Sequence, residues 1–89
     1  MTSIPNHIKR MAKDRALIVS ARIGRNGLTI AIVEELIDQL NNRSLVKIKA
    51  NKGVVESTAE RIELFSELAK LTHSTLVFHR GNVAVFWKP

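Results

Sequence analysis

Apolar positions repeat along this chain with two periods, and each change of period coincides with a glycine, an asparagine or a helix-capping residue. Ile4, Ile8, Met11 and Ala12 fall at i, i+4, i+7 and i+8, which predicts a first helix over residues 3–14. Ser3 can cap it, Pro5 suits its first turn, and His7, Lys9, Arg10 and Lys13 lie on its other side. Residues 16–23 read as a mostly apolar strand with Ile18 and Val19 at its centre, ended by Gly24. Val33, Leu36, Ile37 and Leu40 make the stripe of a helix over residues 29–42. Glu34, Glu35, Asp38 and Gln39 face away from it, Thr29 stands as N-cap, and Asn41-Asn42 is the stop.

The period then drops to two. Over residues 45–50, Val46, Ile48 and Ala50 share one face of a strand, and Leu45, Lys47 and Lys49 share the other. Asn51-Lys52-Gly53 is a turn signal. Ser57-Thr58-Ala59-Glu60 is a capping box, so a third helix runs to about Leu71 with Ile62, Phe65, Leu68, Ala69 and Thr72 as its stripe. Glu56, Glu60, Glu63 and Glu67 lie on its outer side. Two β-rich runs, 75–79 and 83–87, flank Arg80-Gly81-Asn82, a tight hairpin signal. The element order is therefore α-β-α-β-α-β-β. A strand–helix–strand succession implies a parallel crossover, and the hairpin adds an antiparallel pair. The expected fold is an α/β two-layer sandwich on a four-stranded mixed sheet, with residues 1–89 as one domain.

Charge changes the picture from fold to partner. The chain of 89 residues carries a net +6, unevenly spread. Residues 1–33 hold six Lys/Arg against one acid, a net +5; residues 34–67 hold five against seven, a net −2; residues 68–89 hold three bases and no acid. A fold that joins the two ends makes one positive face, the footprint of a polyanion binder. The bland counterpart is a small basic protein whose charge serves solubility alone.

Candidate catalytic chemistry is thin. There is no cysteine, hence no disulfide, thiolate metal site or thiol nucleophile, in keeping with a reducing cytoplasm. His7, His73 and His79 lie on different elements without metal-ligand spacing, and read as surface or helix-end residues. No nucleophile elbow, His-Glu-x-x-His or Walker loop occurs, and the acids form solvated helix faces. The expectation is a non-enzyme with no cofactor, no metal and no small-molecule substrate. No apolar run reaches the roughly 18 residues of a membrane span, and the N-terminus lacks the apolar segment of a secretory signal.

One loop stands out. Gly24-Arg25-Asn26-Gly27 follows a predicted strand and precedes a predicted helix capped by Thr29. Glycines without Cβ let a sugar–phosphate backbone approach the main chain, and the helix N-terminus offers amides to a phosphate. KH domains clamp nucleic-acid backbone with such a G-x-x-G loop. A plain β–α turn with Gly27 at positive φ uses the same residues, so the loop alone leaves both readings standing.

Its surroundings carry a resemblance. Ile23-Gly24-Arg25-Asn26-Gly27-Leu28-Thr29 resembles the I-G-[KR]-x-G-L-[TS] signature of the CRM domain, an RNA-binding module of bacterial YhbY-like proteins and plant organelle splicing factors. Leu45-Val46-Lys47-Ile48-Lys49 resembles that family's second strand, and Arg80 through Pro89 resembles its closing strand. The resemblance implies the same α-β-α-β-α-β-β order, related to the C-terminal domain of bacterial translation initiation factor three. It implies RNA binding through Gly24, Arg25, Asn26 and Gly27, with Arg22, Lys9, Arg10 and Lys13 as flanking phosphate contacts. Lys47, Lys49, Lys52, Arg80 and Lys88 are weaker candidates because their faces are not set by sequence. Family members serve large-subunit maturation or group II intron splicing, and a free-standing domain suits the ribosomal role. The implied partner is ribosomal RNA or a pre-ribosomal particle, bound by a cytoplasmic monomer. The chain departs from the family in having no basic tail after Pro89 and in Asn82, which leaves the RNA target open. A chromatin-type DNA binder and a protein-interaction module of the translation machinery are the alternatives.

Overall fold

The sheet is organised by its last strand, residues 83–87, which is apolar on both faces. In the computed structural model, which describes residues 4–24, 26–51 and 57–89, the elements follow the expected order. They are α1 (Asn6–Lys13), β1 (Val19–Ile23), α2 (Ile30–Asn42), β2 (Leu45–Ala50), α3 (Thr58–Leu71), β3 (Thr75–Arg80) and β4 (Val83–Trp87). Strand order is β1-β2-β4-β3. β1 runs parallel to β2, as a strand–helix–strand crossover requires, and β4 pairs antiparallel with both β2 and β3.

The strand period of two sorts the side chains. Val46, Ile48 and Ala50 of β2 and Ala84 and Phe86 of β4 join Leu36, Phe65 and Leu68 in the main core under α2 and α3. Leu45 of β2 and Val85 and Trp87 of β4 face the other way and form a second cluster with Ile8 and Ala12 of α1. The sandwich of sheet and two helices thus carries α1 on the opposite face, over β3 and β2. The reason lies in β4, which is apolar on both faces: a second apolar face needs a cover of its own.

Capping residues act where the sequence puts them. Thr29 Oγ1 accepts from the Ile32 amide at 3.2 Å, and Ser57 Oγ accepts from the Glu60 amide at 3.1 Å. α3 ends in a left-handed residue, His73 (φ 53°), with the His73 amide on the Lys70 carbonyl and the Ser74 amide on the Ala69 carbonyl. Gly81, at φ 58°, makes the two-residue hairpin between β3 and β4.

Four expectations shift. β1 begins at Val19, and Ile18 is 78% exposed ahead of it, because β1 is an edge strand entered from a turn at residues 14–17. Met11 is 50% exposed because it stands about 80° around α1 from the midpoint of Ile8 and Ala12. The buried stripe of α2 is Ile32, Leu36 and Leu40; Ile37 is only half-buried, and Gln39, expected to face outward, reaches β1. There its amide nitrogen donates to the Ser20 carbonyl at 3.2 Å, and the Ser20 hydroxyl donates to its Oε1 at 2.6 Å. The caps also move at α1: Pro5 holds the N-cap place, and Ser3, with Lys52 and Gly53 of the expected turn, lies outside the described residues.

Candidate nucleic-acid interface

β1 ends at a buried Ile23, and the chain then leaves the sheet through Gly24. The Gly27 amide donates to the Gly24 carbonyl at 3.0 Å, closing a turn, and Gly27 takes φ 67°. An L-residue adopts that region only at a cost of about 1–2 kcal/mol. At Gly24 the backbone is not in that region and an added Cβ would meet nothing within 4 Å. Gly27 therefore serves the turn, whereas nothing in the protein itself requires Gly24 to lack a side chain. The Asn26 and Gly24 positions are exposed; Arg25 lies outside the described residues.

Behind the loop, α2 begins. The first amides of any helix lack intrahelical acceptors, and Thr29 serves only that of Ile32. The amides of Ile30 and Ala31 thus head a helix whose dipole favours negative charge. A cavity opens here, lined by Gly24, Asn26, Gly27, Thr29, Ala31 and Ile32 together with Arg22 and Glu35. Glu35 is the one acid of this lining, and its Oε1 accepts from Gln39 Nε2 at 3.3 Å. Ile30, at the first position of α2, is 79% exposed beside the loop.

The remaining cations are sorted by register. Arg22 sits opposite Lys49 in the parallel pair, Lys49 opposite Val83, and Val83 opposite Arg80. Residues paired across strands share a face, so these four form one row across the sheet. It is the α1 face, since Ala21, Ile48, Ala50 and Ala84 point into the main core. Asn82 brings the hairpin to the same end of the sheet: its carbonyl accepts from the Ala50 amide at 2.7 Å, and the Asn51 amide donates to Ile23. Beyond the row, α1 leaves a second cavity, lined by Lys13, Arg15, Lys47 and Arg80 together with Phe78.

Of the residues singled out from sequence, Gly24, Asn26, Gly27 and Arg22 come together around one cavity, and Lys13 lines the second. Lys9 and Arg10 are exposed on α1 but line neither. Lys88 lies elsewhere, with residues 40–44 at the far end of α2. Sequence reasoning passed over Arg15 and Ile30, and had no means to rank Lys49 and Arg80 above Lys88, because pairing register was the deciding fact. The acids Glu34, Asp38, Glu60, Glu63 and Glu67 are exposed on α2 and α3, across the sheet from the cationic row. Among the described residues, no three His, Cys, Asp or Glu side chains come together in a way that could hold a metal ion. No described helix is long and apolar enough to cross a membrane.

Residues 6–88 match the model of the CRS1/YhbY (CRM) domain. The chain belongs to this family. The CRM domain described here also resembles the solution structure of a Staphylococcus aureus hypothetical protein, described as a candidate RNA-binding protein. The two share 22% identity and superpose with a TM-score of 0.77 over 98% of this chain and 90% of that one. At that identity the likeness establishes the fold, an α/β arrangement of three helices on a four-stranded mixed sheet. A sequence search among curated proteins finds no match.

Proposed function

We propose that this CRM domain is a non-catalytic binder of structured RNA, and that ribosomal RNA within a maturing particle is its target. Membership of a family of RNA-binding domains supports RNA as the partner. The observation that carries the site is the row Arg22–Lys49–Val83–Arg80, which leads from the Gly24–Gly27 loop across one face while the exposed acids of α2 and α3 other than Glu35 lie on the other. A phosphate enters the loop cavity, where Gly24 lets it approach the main chain, the first turn of α2 at Ala31 offers it amide donors, and Arg22 neutralises it. The following phosphates run along Lys49 and Arg80. Lys13 and Arg15 extend the track at the end of α1. Contacts of this kind read backbone and shape rather than base sequence, which suits an A-form RNA surface.

The test is binding of ribosomal RNA fragments by the native chain and by Gly24→Asp, Gly27→Asp and Arg25→Ala. An aspartate in the loop places a carboxylate where the phosphate sits, so both glycine variants lose binding while circular dichroism stays native. Arg25→Ala weakens binding about equally for different RNAs. Unchanged affinity in all three removes the loop from the mechanism. Competition between structured RNA and duplex DNA at one salt concentration separates this reading from a DNA binder.

A further inference from the structure

The two cavities on the basic face differ in chemistry. The loop cavity contains Glu35 and no aromatic residue. The cavity between α1 and the sheet contains Lys13, Arg15, Lys47 and Arg80, no acid, and one aromatic, Phe78. Its volume is about 170 Å³, with Ala12 and Val83 completing an apolar lining. Phe78 is partly buried: it packs on the cluster of Ile8, Val85 and Trp87 while still lining this opening.

Three local devices hold this arrangement. Ala12 is 1% exposed and has no side chain beyond Cβ, so α1 approaches the sheet closely there. Asp14 is occupied locally: its Oδ1 accepts from the Ala16 amide at 2.9 Å and its carbonyl accepts from the Leu17 amide at 3.1 Å, closing the turn that presents Arg15. Lys47 Nζ donates to the Leu17 carbonyl at 3.2 Å, which pins the ammonium beside β1 and leaves its other two donors unspent on that bond.

An aromatic surface ringed by cations suits one ligand chemistry better than a bare phosphate track does. A nucleobase stacks on an aromatic side chain, and its own phosphates meet the cations. We infer that this cavity takes a single unstacked nucleotide of the bound RNA, its base on Phe78 and its flanking phosphates on Lys13, Arg15 and Arg80. The inference rests on the RNA-binding reading above and adds a specificity to it. The loop grips backbone of any sequence, whereas this site demands a base freed from its stack. The preferred RNA is therefore a helix interrupted by a bulge or an internal loop, not a continuous duplex.

The test compares a fully paired RNA duplex with the same duplex carrying one bulged adenosine, measured by fluorescence anisotropy on the full chain. The native protein is expected to bind the bulged RNA about tenfold more tightly, the scale of one base–aromatic stack. Phe78→Leu removes most of that preference and leaves affinity for the paired duplex within about twofold. Arg80→Gln, at an exposed position, weakens the bulged RNA more than the paired one. Equal binding of both RNAs by the native protein, or a preference that survives Phe78→Leu, overturns the nucleotide site but not the loop. Loss of all RNA binding by the native protein overturns both. Should Phe78→Leu fail to fold, photocrosslinking decides on native protein with a bulged 5-iodouridine. Crosslinks at Phe78, Lys13 or Arg80 support the site, and crosslinks confined to the Gly24–Gly27 loop refute it.

Discussion

Gly24 and Gly27 bracket one loop for different reasons. Gly27 stands at φ 67°, so Gly27→Ala forces an L-residue into the left-handed region. We expect a loss of about 1–2 kcal/mol, read as a lower thermal midpoint by about 4–8 °C per kcal/mol in a domain this size. Gly24 has open space at its Cβ and no positive φ. Gly24→Ala should leave the thermal midpoint unchanged or raise it slightly, and still weaken RNA binding severalfold, because the added methyl occupies the path of the phosphate. If Gly24→Ala binds RNA as well as the native chain, the close-approach argument fails. His73 is the converse case, a non-glycine at φ 53° ending α3. His73→Gly relieves that strain, and chemical denaturation should find a gain of about 0.5–1 kcal/mol.

Among the elements, α1 is the one most dependent on its neighbours. It has eight residues, and no side chain caps its N-terminus. Helices that short do not persist alone in water. Its hold on the sheet is the cluster of Ile8 and Ala12 with Leu45, Val85 and Trp87, separate from the main core. Ile8→Ala should cost about 2–5 kcal/mol. By hydrogen exchange, the amides of α1 should lose protection more than those of α2, which is anchored by Leu36 in the other cluster. Equal loss in both helices would mean the clusters open together. The same separation explains which parts of the helices were legible. The α3 stripe of Phe65, Leu68, Ala69 and Thr72 is buried as its period implies, with Ile62 left partly exposed. In α2 the stripe turned toward Ile32 and Gln39, because Gln39 finds a hydrogen-bonding partner in Ser20 at the edge strand. A periodicity argument treats glutamine as solvent-facing and has no term for such a partner.

At the scale of the molecule, the chain separates its charge by layer. The ends, both basic, meet where α1 packs on β3, and the described acids other than Asp14 and Glu35 ride on α2 and α3 across the sheet. RNA affinity should therefore fall steeply with salt, since each neutralised phosphate releases counterions. Arg22→Gln and Lys49→Gln should each flatten the plot of log affinity against log salt by about one unit. Glu63→Gln, on the opposite layer, should leave the slope as it is. A slope equally insensitive to all three substitutions would place the phosphate track somewhere else.

Local chemistry written in the sequence determined the elements, their order, the caps at Thr29 and Ser57, the hairpin at Gly81-Asn82 and the position of the G-x-x-G loop between a strand and a helix. Each depends on neighbours a few residues apart, through hydrogen-bond period, backbone φ and side-chain alternation. Which cations stand beside that loop was a tertiary decision. Arg22, Lys49 and Arg80 come from three different strands, and only their pairing register sets them in one row. The same holds for Arg15 and Phe78, which are 63 residues apart in the chain and line one cavity because α1 packs over β3. Backbone pairing and helix docking are long-range contacts that no local pattern records, so the loop could be found from sequence and the face it belongs to could not.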